Sequence, residues 1–150
     1  MCEKRIMREM KEVSASFNNV ELEALDGDIF NLVATINGPI GTPYENGRFI
    51  VTIKIPHDYP FVKPRVVFRT NVYHPQVCHT GLICLDCLKS RNWTMSTGIK
   101  KILSEIIQMM TDLNFDPSIM YLNVDVFKVA QKNKDQFLKT AKEWTEKYAD

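Results

Sequence analysis

Ile99-Lys100-Lys101-Ile102-Leu103-Ser104-Glu105-Ile106-Ile107-Gln108-Met109-Met110 is the stretch that decides the fold class. Ile99, Ile102, Leu103, Ile106, Ile107 and Met110 follow the helical period and form a nearly all-apolar stripe. A stripe that wide belongs to a buried central helix. Thr97-Gly98 stands just before it and reads as its cap. A loop near Asn114-Phe115-Asp116-Pro117 ends it. Upstream of Trp93 the period is two instead. Val20, Leu22 and Ala24 share one strand face; Phe30, Leu32, Ala34 and Ile36 share the next. Phe49, Val51, Ile53 and Ile55 share a third, and Val66 with Phe68 a short fourth. Asp26-Gly27-Asp28, Asn37-Gly38-Pro39 and Glu45-Asn46-Gly47 supply turns. Short connections between alternating strands favour an antiparallel meander.

Outside these strands the chain is helical. Over the first 17 residues Ile6, Met10, Val13 and Phe17 set an apolar stripe, with Lys4, Arg5, Arg8 and Lys11 on the other side. Two further helices follow the central one, marked by Phe127 and Ala130, then by Phe137, Ala141, Trp144 and Tyr148. A helix, four strands, an irregular segment and then helices is an α+β order, distinct from βαβ alternation. The whole chain, residues 1–150, is expected to form one domain with a sizeable core.

Composition narrows the function. Apolar residues make up 45% and charged residues 25%, the balance of a soluble globular protein. A net charge of +1 argues against nucleic-acid binding through bulk electrostatics. No apolar run approaches the roughly 20 residues of a membrane helix. Met1-Cys2-Glu3-Lys4-Arg5 is charged at once and lacks a signal-peptide core. The cysteines stand at 2, 78, 84 and 87, three of them clustered, unlike a disulfide framework spread along a secreted chain. The expected compartment is reducing, cytoplasmic or nuclear.

The irregular segment carries the chemistry. It contains Tyr73-His74-Pro75-Gln76 and then Gly81-Leu82-Ile83-Cys84-Leu85-Asp86. Together they supply a nucleophile, a rigid turn, an amide donor and a carboxylate. Those are the parts needed to carry an acyl group as a thioester and pass it to an amine. Rival readings are weaker. Cys84-Leu85-Asp86-Cys87 is one C-x-x-C, with no second pair to complete a zinc site. A redox dithiol would open a helix within a βαβ unit, which is missing. His74 invites a Cys–His dyad, yet a His before Pro in a turn reads better as a hydrogen-bonded structural residue. Cys2 and Cys87 are expected to have no chemical role, and Cys78 to be an exposed spectator.

Taken together, the motifs resemble those of ubiquitin-conjugating enzymes along nearly the entire chain. They are the Lys4-Arg5-Ile6 helix, Gly38-Pro39 through Thr42-Pro43-Tyr44 and Gly47, Asp58-Tyr59-Pro60-Phe61, Tyr73-His74-Pro75, Gly81 with Ile83-Cys84-Leu85-Asp86, and Trp93. The ending, Glu143-Trp144-Thr145-Glu146-Lys147-Tyr148-Ala149, is similar to members made of the catalytic domain alone. The resemblance implies that family's α+β fold and a monomer. Cys84 would take ubiquitin's C-terminal carboxyl from the activating enzyme and release it to a lysine amine or a ligase cysteine. Asp86, and an acid in the loop before the third helix, would position the lysine. No metal or small-molecule cofactor is implied; the activating enzyme would consume the ATP. Expected partners are ubiquitin, the activating enzyme, a RING or HECT ligase and protein substrates, with no nucleic acid and no membrane. Lys4, Arg5 and Arg8 would meet the activating enzyme; Arg5, Phe61, Met95 and Ser96 would form the ligase surface.

Three departures qualify the resemblance. His-Pro-Asn becomes His74-Pro75-Gln76, which keeps the amide on a side chain one methylene longer. Gln76 either donates to the oxyanion or ties a neighbouring loop. Ser-Pro-Ala becomes Thr94-Met95-Ser96, which removes a fixed φ and adds an adaptable side chain, and one residue is inserted among Ser90, Arg91 and Asn92. The segment after the central helix becomes Asp112-Leu113-Asn114-Phe115-Asp116-Pro117-Ser118, about three residues longer, with Asp116 as the candidate acid or else a turn residue. Glu21 falls where some relatives carry a serine for noncovalent ubiquitin binding. Two alternatives stay open: a noncatalytic scaffold, against which the retained Cys84 argues, and a conjugating enzyme for another ubiquitin-like modifier.

Overall fold

The computed structural model describes residues 2–150; Met1, included in the first predicted helix, lies outside them. The order of elements is α1 (Glu3–Ser16), β1 (Val20–Leu25), β2 (Asp28–Asn37), β3 (Arg48–Lys54), β4 (Arg65–Phe68), a 3-10 turn (Asp86–Leu88), α2 (Gly98–Thr111), α3 (Val124–Lys132) and α4 (Lys134–Tyr148). The strands form one antiparallel sheet in the order β1-β2-β3-β4, as the alternation predicts. At the first hairpin both Asp26 and Gly27 have positive φ, 52° and 78°, the geometry that matches the twist of two paired strands.

Period-two patterning gives the sheet one buried face. Leu32, Ala34 and Ile36 of β2 join Phe49, Val51 and Ile53 of β3 in the core, with Ile99, Ile102, Leu103, Ile106 and Met110 of α2. Ile6 and Val13 of α1 complete it. A second cluster, Phe115, Val126, Ala130 and Phe137, ties the loop after α2 to the last two helices. Asn123 and Asn133 cap those helices, each side chain accepting from a backbone N–H three residues on.

Thr97 does not cap α2, contrary to the sequence expectation. Its hydroxyl accepts from Thr94 N–H instead. The Ile99 N–H is taken at 3.0 Å by Glu9, a buried carboxylate reaching across from α1. Glu9 also accepts from the Tyr59 hydroxyl at 2.6 Å and from Arg5 at 3.4 Å. A carboxylate in the core is tolerated only when such donors surround it. Gly98, φ +73°, is what lets it approach: a Cβ there would stand 2.4 Å from Glu9 Oε1.

Candidate active site

The segment between β4 and the 3-10 turn is irregular, yet it is held from both sides. Phe68 N–H donates to Gly81 O, and Val67 pairs with Leu82, so residues 81–83 run beside β4. Val77 pairs with Ile83 across a tight reversal. Gly81, φ +92°, makes that approach possible: a Cβ would stand 2.1 Å from the Phe68 carbonyl oxygen. Cys84 follows directly, half-buried and with its thiol free.

Gln76 and Cys84 hold each other. Cys84 N–H donates to Gln76 O at 2.9 Å, and the Gln76 side-chain amide donates to Cys84 O at 3.2 Å. The longer side chain therefore returns to the nucleophile's own backbone. His74 is fully buried and fixes the turn before it. Its Nε2–H donates to Met109 O at 2.7 Å, and its Nδ1 accepts from Gln76 N–H at 3.0 Å. Both ring nitrogens are occupied, so no Cys–His dyad forms. Burial drives the imidazole down to about 4, so it stays neutral.

Cys84 opens onto a cleft of about 320 Å³. Asp86, Glu105, Asp112 and Asp116 line it, with Lys89 as its only cation among the described residues. Asp86 is exposed at the start of the 3-10 turn and pairs with Lys89 at 2.9 Å, which raises that ammonium's pKa. Asp116 accepts from Ser118 N–H at 2.9 Å and from its hydroxyl at 2.8 Å; these bonds lower its pKa and keep it ionised. It is the turn residue that one sequence reading expected, and it also lines the thiol's cleft. Phe115 anchors this loop, edge-on to His74 and Phe137. Its carbonyl accepts from Gln131, and Lys134 lies over its ring.

The other cysteines have different settings. Cys87 is buried; desolvation and the nearby Glu105 push its thiol up to about 12. Cys2 is buried with its thiol toward His57 O. Cys78, expected to be exposed, is half-buried and in contact with the Thr80 hydroxyl at 2.7 Å. Burial raises it, but the hydrogen bonds of Thr80 and nearby backbone outweigh that and lower it.

A profile of the ubiquitin-conjugating enzyme family matches residues 5–145. The chain belongs to the ubiquitin-conjugating enzyme family. Among solved structures, the E2 domain of a Toxoplasma gondii ubiquitin conjugating enzyme is 33% identical over the full length of both chains, with a TM-score of 0.87. A candidate ubiquitin conjugating enzyme from Plasmodium yoelii is 34% identical over 97% of this chain and 94% of that one, also at 0.87.

The other residues expected to meet partners lie away from the cleft. Phe61 is 72% exposed and Met95 51%, large apolar side chains left in solvent. Arg5 joins that region to α1 by donating to Met95 O, and its guanidinium lies 5.6 Å from the Tyr59 ring centroid. Arg5 is therefore committed within the fold, unlike the exposed Lys4 and Arg8. Ser96, next to Met95, hydrogen-bonds the Thr94 hydroxyl and shapes the loop. Glu21 is exposed on β1 opposite Thr35. The sequence reading missed Glu105, which accepts from Cys87 N–H at 3.1 Å and lines the cleft. Its signal was a carboxylate beside Ile102 and Ile106 on a largely apolar helix.

Proposed function

We propose that the chain accepts ubiquitin as a thioester on Cys84 and transfers it to a lysine amine or a ligase cysteine. One observation carries this reading: Cys84 is a free thiol at the mouth of an acid-lined cleft, with its backbone clamped by Gln76. In loading, the Cys84 thiol gives its proton to solvent and the thiolate attacks the activating enzyme's thioester carbonyl; a new C–S bond forms, the old C–S bond breaks and the activating enzyme's cysteine leaves as thiolate. In transfer, a lysine first loses one proton. Its neutral nitrogen attacks the carbonyl, the C–N bond forms, the C–S bond breaks and Cys84 leaves as thiolate. The second amine proton passes to solvent.

A thioester needs orientation and charge stabilisation more than a strong base. Asp86 and Asp116 draw the lysine ammonium into the cleft, and desolvation beside Cys84 favours its neutral, attacking form. The activating enzyme meets α1 through the exposed Lys4 and Arg8, with Arg5 holding the loop beside them; a RING or HECT ligase meets Phe61, Met95 and Ser96. The chain works as a monomer in the cytoplasm or nucleus, where its four free cysteines stay reduced.

Charging with activating enzyme, ATP and separate modifiers, read on nonreducing gels, tests this. Ubiquitin is expected to give a reductant-sensitive adduct, and Cys84→Ser a slower, reductant-resistant one. Cys78→Ser and Cys87→Ser are expected to charge nearly normally. An adduct retained by Cys84→Ser as a thioester, or lost in Cys87→Ser alone, overturns the assignment.

A further inference from the structure

One rung of the sheet sets two cations against each other. Asn31, Lys54 and Arg65 stand side by side on β2, β3 and β4, Asn31 paired with Lys54 and Lys54 with Arg65. The next rung, Leu32, Ile53 and Val66, is buried, so this one faces solvent. Lys54 and Arg65 are exposed and directly opposite, an arrangement of like charges that costs stability. Neither forms a salt bridge among the described residues. Both line a recess of about 380 Å³ at this end of the sheet, where the Phe30 and His57 rings, 4.3 Å apart, make a wall. Asp28 is the one acid among its described lining residues. That carboxylate is already engaged: one oxygen accepts from Phe30 N–H at 2.9 Å, the other from the Asn31 amide at 2.6 Å. Lys63, at the rim, donates to Leu88 O. The charge left without a counterpart is that of Lys54 and Arg65.

Side chains opposite each other on paired strands have Cβ atoms about 5 Å apart, so two long cationic side chains can converge on one anion. A carboxylate would bring one charge and two oxygens. A phosphoryl group brings close to two charges and three oxygens, and a guanidinium can take two of those oxygens at once. We propose that this recess binds a small phosphorylated molecule. Arg65 forks onto the phosphoryl oxygens, Lys54 neutralises the second charge, and the rest of the molecule lies against Phe30 and His57. The charge complementarity selects the phosphoryl group, and a recess of this volume suits a small molecule. The site stands apart from the acid-lined cleft and does not depend on the thioester reading of Cys84.

The probe is pyrophosphate, titrated at an ionic strength held constant with chloride. Amide NMR shifts are expected to be confined to residues 28–31, 54–57 and 63–65 and to saturate as for one site. With pyrophosphate at about ten times its dissociation constant, the melting temperature is expected to rise by about 3 °C. Lys54→Gln and Arg65→Gln are each expected to lose most of that rise. Without pyrophosphate and at low salt, both variants are expected to melt no lower than the parent, because each removes one half of the like-charge pair. Shifts that do not saturate, or that centre elsewhere, for example on Lys4 and Arg8, overturn the proposal. So does a parent-like rise in both variants. Variants that both melt lower than the parent without pyrophosphate show the pair to be compensated already, which also overturns it. A short phosphoserine peptide is the last arm. Weaker binding than pyrophosphate supports a small occupant; tighter binding overturns that choice and assigns the recess to a phosphorylated protein.

Discussion

At Gln76 one side chain serves two possible masters. Its amide donates to the Cys84 carbonyl, and a carboxamide NH₂ has a second hydrogen to give. On the proposed function, loading would exchange one thioester for another against the activating enzyme's own site, whereas aminolysis would build an oxyanion with this chain's donors alone. Gln76→Ala is therefore expected to spare charging and slow discharge to free lysine by about tenfold, short of the ~10²–10³ lost with an ideally placed donor. Gln76→Asn is expected to discharge faster than the parent. Single-turnover discharge with melting followed in parallel checks both; unchanged discharge with lower stability makes the amide a tie. His74 gives a pH prediction. Between its ordinary 6.5 and its folded value of about 4 the unfolded chain binds a proton that the folded chain does not. Stability therefore falls on acidification through that window, by roughly 3 kcal/mol once pH 4 is reached. Urea midpoints from pH 7 to pH 4 are expected to fall less steeply in His74→Gln than in the parent. That Gln76 and Cys84 sit together was legible in the sequence because motif and turn chemistry are local. The structural role of His74 was legible as well, but its partner was not, since Met109 lies 35 residues on.

At the level of elements, α2 starts on a borrowed acceptor. Glu9 from α1 takes the Ile99 N–H and the Tyr59 hydroxyl; burial, and after it the bond to Glu9, raises the Tyr59 pKa. Glu9→Ala leaves two buried donors unmet and is expected to cost about 2–5 kcal/mol; Glu9→Gln, which keeps one acceptor, is expected to cost less. Gly98→Ala is expected to cost about 1–3 kcal/mol, because it combines a positive φ with a Cβ in the carboxylate's place. Chemical denaturation of the three variants checks the order. A Glu9→Ala protein as stable as the parent would show the buried carboxylate to be dispensable. The strands and the α2 stripe were legible because their apolar periods match the faces that the core buries. The cap was misread because Thr97 has the right local propensity, while the true acceptor is 90 residues away in sequence. The loop at 112–123 was legible as a departure but not as a shape, which depends on Phe115 packing against α4 and on Asn123 N–H reaching Pro75 O.

For the molecule as a whole, the active cleft and the Phe61–Met95 surface are separate regions joined through α1 and α2. Lys4 and Arg8 are exposed cations on α1, so Lys4→Glu with Arg8→Glu is expected to slow charging severalfold and to remove much of its salt dependence. Charging rates across a salt series check this; parent-like rates in a folded variant would show the face to be merely solvated. Arg5→Glu is the wrong probe, since it would set two carboxylates against each other at Glu9. The contact from Arg5 to position 95 is made through the main-chain oxygen. The scaffold therefore grips the loop without consulting the side chain displayed there. Methionine, alanine or a charged residue can hang from the same anchored peptide, so the surface displayed at position 95 can change while the architecture beneath it stands still.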